Sequence, residues 1–166
     1  MVHVWRLQKE EPSLRKRVMF MTDEFDVLKL DNQICFPLYA VSKEVIRRYK
    51  PFLEEIDLTY TQYITMMVMW EERNICVKDL GCRLFLDSGT LTPVLKTLEK
   101  KGYITRSRSK EDERVLNVEI TEEGMKLRNE AVNVPQKIGT CVNLSKEDAM
   151  QLYTILHKMM KDFSID

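Results

Sequence analysis

The chain has 166 residues, 44% apolar and 31% charged, which fits one globular domain with a real core. Its formal net charge is zero, so bulk charge gives no pointer to nucleic acid, and any DNA binding rests on local clusters of Lys and Arg. No run approaches the roughly 18 apolar residues that span a membrane. Residues 1–20 hold Arg6, Lys9, Arg15, Lys16 and Arg17 without the apolar stretch of a secretory signal, so a cytoplasmic protein with no membrane partner is expected.

The four cysteines, Cys35, Cys76, Cys82 and Cys141, form no C-x-x-C pair and match no zinc spacing. Four widely spaced thiols point to a reducing compartment. The only histidines, His3 and His157, lie at the two ends, so neither a metal nor another cofactor is expected.

Residues 1–20 show no clean period and are set aside as an N-terminal extension; residues 21–166 read as a single domain. Asp31 and Asn32 are good helix caps. Ile34, Leu38, Val41, Val45 and Ile46 then recur at helical spacing up to Tyr49, and Pro51 is expected to end that helix. Pro37 is awkward in a helix interior; a start nearer Phe36 leaves Cys35 at the N-terminal end. Thr59-x-x-Gln62 is a capping box for a helix to about Glu72, with Ile64, Met67 and Val68 inward and the Met66, Met67, Met69 run as core filler.

A β-like stretch, Ile75 to Val77, and a brief helix marked by Val77, Leu80 and Leu84 follow. Asp87 or Ser88 caps a helix that buries Leu91, Val94, Leu95 and Leu98 and stops at Gly102. Pro93 argues for a start near Ser88 or Gly89. Tyr103 to Arg108 and Val115 to Ile120 read as the two strands of a ribbon with a polar tip, Ser109 to Glu113. Thr121 starts a helix to about Val134, where Pro135 disturbs it. Ser145-x-x-Asp148 starts the last helix, with Met150, Leu152, Ile155, Leu156 and Met159 as its apolar positions.

A short helix, a tight turn, a second helix and a β-ribbon are the plan of a winged helix-turn-helix, whose second helix enters the major groove. The fold class expected is α+β, mainly α. The winged module spans about residues 58–120, and dimerisation helices lie at about 30–50 and 121–163. Ser88, Thr90, Thr92, Lys96 and Thr97 fall away from the apolar stripe of the second helix, where hydroxyls and methyls can meet phosphates and base edges. Lys100, Lys101, Arg106, Arg108, Lys110 and Arg114 cluster around the ribbon, and a wing arginine suits a narrow minor groove. Asp112 is placed to hold the Arg114 guanidinium.

Asp87-Ser88-Gly89-Thr90-Leu91-Thr92-Pro93, Leu98-Glu99-Lys100-Lys101-Gly102 and Asp112-Glu113-Arg114 resemble the multiple-antibiotic-resistance regulator (MarR) family. Leu30-Asp31-Asn32-Gln33-Ile34-Cys35-Phe36 and Leu58-Thr59-Tyr60-Thr61-Gln62-Tyr63 resemble its branch that regulates organic hydroperoxide resistance. The resemblance covers about Leu30 to Phe163. It implies a homodimer built from the first helix and the last two. It also implies two winged modules reading a pseudo-palindromic operator in double-stranded DNA, with an organic hydroperoxide as effector.

Cys35 at a helix start meets free N–H groups and the positive end of the macrodipole, which favour thiolate, the form that attacks a peroxide to give sulfenic acid. The resemblance implies that tyrosine hydroxyls of the partner subunit hold this sulfur, and Tyr49 and Tyr60 match those positions; Tyr39 lies one turn after Cys35. Cys141 lies where some family members place a resolving cysteine, with a small cellular thiol as the alternative. Pro37 departs from the family pattern, and Cys76 and Cys82 match no family role. The sequence thus points to a repressor, not an enzyme, that releases DNA when Cys35 is oxidised. The alternatives are a regulator switched by a phenolic ligand and a thiol-dependent peroxidase.

Overall fold

The computed structural model describes residues 24–139 and 144–163. They fall into two compact units that divide between Glu44 and Val45. The extension over residues 1–20 and Cys141 lie outside the described residues. None of the described helices is long and apolar enough to cross a membrane.

In the first unit, two 3-10 turns, Glu24–Leu28 and Leu30–Asn32, precede helix α1, Cys35–Glu54, which runs on into the second unit. Asp31 and Asn32 do not cap α1, contrary to expectation. They sit in the second 3-10 turn, where the Asn32 side-chain amide donates to the Asp26 carbonyl oxygen at 2.7 Å. Because α1 opens at Cys35, Pro37 falls in the first turn, where its missing N–H costs no helical hydrogen bond.

Pro51 does not end α1, which continues to Glu54. A proline there removes one donor, but the turn it opens buries Leu53, only 1% exposed. Burying a leucine is worth about 1.5–3 kcal/mol, enough to offset most of what proline costs in a helix.

The second unit continues with α2 (Tyr60–Glu72), β1 (Asn74–Cys76), α3 (Val77–Leu84), α4 (Ser88–Lys100), β2 (Ile104–Arg108) and β3 (Leu116–Ile120). After them come α5 (Glu122–Ala131), α6 (Val134–Gly139) and α7 (Lys146–Asp162). Both bonds of the Thr59 capping box are present: Gln62 N–H donates to Thr59 Oγ1, and the Gln62 side chain accepts from the Thr59 N–H. The inward face of α2 differs from the expected one. Tyr63, Met66, Val68 and Met69 are buried, whereas Met67 is 42% exposed. Apolar residues surround this helix, so its periodicity singled out no one face.

The ribbon carries a third strand. β1 pairs antiparallel with β3, and β3 with β2, in the order β1-β3-β2. Ile75 and Arg106 both lie opposite Val118, which is fully buried. One core joins Met66 and Met69 of α2, Leu80 of α3, Leu91, Leu95 and Leu98 of α4, and Ile104 and Val118 of the sheet.

Phe85 turns the chain between α3 and α4 in the left-handed region, φ 54 and ψ 39, at a cost of about 1–2 kcal/mol for a residue with a Cβ. Gly102, φ 78, leaves the end of α4 as expected.

The helix expected from Thr121 to about Val134 ends sooner, and a separate short helix follows it. α5 stops at Ala131, and α6 opens at Val134 with Pro135 in its first turn. Ser145 caps α7, its Oγ accepting the Asp148 N–H at 3.0 Å. α7 buries none of its residues, and Met150, Tyr153 and Ile155 are exposed.

The Trp70 indole N–H donates to the Gly124 carbonyl oxygen at 2.8 Å. A Cβ at Gly124 would lie 2.1 Å from the Tyr103 carbonyl oxygen, so α5 can sit this close to the sheet only with glycine there. Gly124→Ala gains up to ~1 kcal/mol of helix propensity but forces backbone apart. A net loss of about 2 kcal/mol is expected, read as a lower urea midpoint at unchanged slope.

Candidate functional site

Helix α4 is held at both ends by charged side chains. At its start, Asp87 Oδ1 accepts the Thr90 N–H at 2.9 Å, and Oδ2 accepts the Thr90 hydroxyl at 2.9 Å. These donors, the Thr90 amide first, hold the Asp87 carboxyl below the usual carboxylate range. The cap is therefore Asp87, of the two residues the sequence offered, and Ser88 is the first helical residue.

At the other end, Glu99 grips Arg106 of β2. Arg106 Nε and Nη2 donate to Oε2 at 3.0 and 2.5 Å, and the Arg106 backbone N–H donates to Oε1 at 3.2 Å. The Arg106 hydrogen bonds hold the Glu99 carboxyl down as well. Arg106, expected among the DNA-contacting residues, has its guanidinium engaged inside the module as a strut between α4 and the wing.

Ser88, Thr90, Thr92 and Lys96 are exposed, on the face opposite Leu91, Leu95 and Leu98. The Thr92 hydroxyl donates to the Ser88 carbonyl oxygen at 2.6 Å and the Thr97 hydroxyl to Pro93 at 2.9 Å. With the Thr90 proton on Asp87, these threonines offer lone pairs and methyl groups outward. In the wing, Arg108 donates to the Glu113 carbonyl oxygen at 2.5 Å. Asp112 Oδ1 accepts the backbone N–H of Arg114 at 2.9 Å. The carboxylate thus fixes the main chain, where the guanidinium was the expected partner. Arg114 itself is exposed.

Cys35 is exposed and is the first residue of α1. Tyr39, one turn further on, is also exposed, with Lys43 Nζ 5.8 Å from its ring centroid. In the second unit, Tyr49 and Tyr60 meet edge to face, centroids 5.1 Å apart. Tyr63 joins them, 6.0 Å from Tyr49 and 6.3 Å from Trp70. Burial, more than any neighbour, pushes all three phenols above the ordinary tyrosine value of 10.0, so each stays a proton donor at neutral pH. The structure therefore brings Tyr49 and Tyr60 together.

Sequence reasoning missed Tyr63 and Glu99. Glu99 could have been found from its charge, seven residues before Arg106 across a glycine turn. Among the described residues, no group of three or more His, Cys, Asp or Glu is placed to hold a metal ion.

A capped helix with a polar outer face, preceded by a short helix and followed by a strutted wing, defines a winged-helix transcriptional regulator. Residues 47–131 match the family described as Transcriptional regulator SarA/Rot. The chain is 46% identical over 144 residues to the organic hydroperoxide resistance transcriptional regulator of Bacillus subtilis (strain 168), covering 85% of this chain and 96% of that one. Among solved structures it resembles overoxidized AbfR bound to DNA, with TM-score 0.67, 31% identity, and coverage of 85% of this chain and 99% of that one. AbfR of Staphylococcus epidermidis is also known in a disulfide form, with TM-score 0.58, 33% identity, and coverage of 82% and 93%. The chain belongs to the SarA/Rot family of MarR-like winged-helix regulators. These relatives are regulators of transcription, not enzymes.

The raised phenols carry a pH signature. As pH climbs past about 10, the unfolded chain releases these protons before the folded one does. The stability they contribute is full below that pH and falls as pH rises through their folded values. The urea midpoint should therefore drop from about pH 10 upward, and Tyr49→Phe with Tyr60→Phe should flatten that drop.

Proposed function

We propose that the chain is a dimeric repressor that releases its operator when an organic hydroperoxide oxidises Cys35. The observation that carries this reading is an exposed cysteine as the first residue of α1, in a chain whose Bacillus relative is named for organic hydroperoxide resistance. The Cys35 thiolate attacks the terminal, hydroxyl-bearing oxygen: the S–O bond forms, the O–O bond breaks, the OH stays on sulfur, and the alkoxide leaves as the alcohol by taking up the proton the thiol had released. Sulfur gives up two electrons and becomes sulfenic acid.

The protonated phenols of Tyr49 and Tyr60 are suited to donate to a thiolate reached from the partner subunit. Oxidation removes the acceptor they hold. A further step can join the sulfenic acid to a thiol with loss of water, either Cys141 or a small cellular thiol; the disulfide form of AbfR supports a reading with a second sulfur. The exposed apolar residues of α1 and α7 support a dimer. A strained dimer would shift the two α4 helices off the groove spacing of roughly 34–36 Å. In the bound state α4 lies in the major groove, with Ser88, Thr90, Thr92 and Lys96 outward, and Arg108 and Arg114 reach the flanking backbone or minor groove.

Two measurements test this by fluorescence anisotropy on a duplex that the protein selects from a random pool. Cumene hydroperoxide should weaken binding on the order of 5- to 150-fold for the parent protein and leave Cys35→Ser unchanged; release by the serine variant would remove Cys35 from the mechanism. Arg114→Ala should weaken binding and lower the salt slope by about 1; an unchanged slope would take the wing out of the contact.

A further inference from the structure

Between α3, the turn that follows it and the base of the wing lies a cleft of about 790 Å³, within the size range of small-molecule sites. Its apolar walls come from Val77 of α3, Phe85 and Leu86 of the turn, Leu91 of α4, and Val115 and Leu116 at the start of β3. Two thiols, Cys76 and Cys82, line it, and so do the cations Lys78 and Arg114. An apolar cleft with two sulfur atoms and two cations selects a narrow chemistry. We propose that it takes a small apolar Michael acceptor, an aryl α,β-unsaturated carbonyl compound, which adds covalently to Cys76 and lowers the affinity for DNA.

Cys76 is the better placed of the two thiols. It is the N-cap of α3, and its sulfur accepts the Asp79 N–H at 3.4 Å. Cys82 lies in the last turn of the same helix, away from the free N–H groups of its start. The two sulfurs do not simply bridge each other. Six residues of helical rise separate their Cα atoms by about 9 Å, beyond the roughly 7 Å a disulfide spans. In the addition, Cys76 Sγ bonds the β-carbon, the π pair moves to the carbonyl oxygen as an enolate, and the thiol proton ends on the α-carbon. No oxidant is consumed. Lys78 and Arg114 are the cations on hand for the enolate oxygen.

The effect on DNA follows from the lining. Ser88 and Arg114, proposed above as part of the DNA-reading surface, also form walls of this cleft. An occupant therefore competes with DNA for the same groups and wedges the wing base away from the start of α4. The inference rests on the repressor reading but not on Cys35, which belongs to the other unit.

The test uses the full-length Cys35→Ser protein and benzylideneacetone as probe. Intact and peptide mass spectrometry should show one adduct, on Cys76, and anisotropy should show DNA binding weakened at least about 10-fold, within the usual span of coupling between sites. Adding Cys76→Ser, which keeps a capping acceptor at this position, should abolish both effects; Cys82→Ser should leave both. An adduct on Cys82 alone, no adduct, or an adduct on Cys76 with unchanged DNA binding would overturn the proposal. Because the adduct is read without DNA and the peroxide sensor is already removed, failure here and failure of the peroxide reading remain distinguishable.

Discussion

The burial of one face of α4 is the constraint on which the module depends. Leu91, Leu95 and Leu98 are each almost fully removed from solvent, and at about 1.5–3 kcal/mol per side chain no alternative rotation of the helix competes. Fixing that face fixes the other: Ser88, Thr90, Thr92 and Lys96 must point outward. The two charged contacts refine this placement. Asp87 sets where the helix begins, and Glu99 ties its end to β2 through Arg106. Exposed ion pairs contribute little stability. Here a two-point grip on a guanidinium and its own backbone N–H gives orientation, tying β2 to the end of α4.

The same economy appears in the wing tip. Ser109, Asp112 and Val115 close it through main-chain and short side-chain bonds: Ser109 N–H to the Val115 carbonyl oxygen at 2.8 Å, and Arg114 N–H to Asp112 at 2.9 Å. With the backbone shaped this way, Arg114 needs no carboxylate on its guanidinium to be presented. A charge left free for phosphate or a groove is worth more to a DNA-binding protein than one neutralised internally.

The aromatic cluster of the second unit follows a different logic. Tyr49 packs edge to face on Tyr60 and tilted on Tyr63, which in turn meets Trp70 edge to face. Burial keeps their protons on. A group that is apolar in body and a donor at its tip can bury its ring and still keep a proton to offer. The exposed apolar residues of α7 show where this chain has surface to spare: Tyr153, Ile155 and Met150 would be costly on an isolated helix.

Much of this was written in local sequence. The capping box at Thr59, the Ser145 cap, the start and stop of α4, and the polar face of that helix depend on residues within one or two turns of each other, so spacing alone determined them. The tertiary structure decided what depends on distant partners. Pro51 stays helical because Leu53 is buried. The β-like stretch at Ile75 gains its partner strand only when Ile75 meets Val118, far along the chain, in the register of β3. Met67 faces outward because its neighbours Met66 and Met69 claim the core, a choice that an all-round apolar helix cannot announce. Arg106 looked like a DNA contact until Glu99 took its guanidinium, since charge counts carry no information about which charges are already paired.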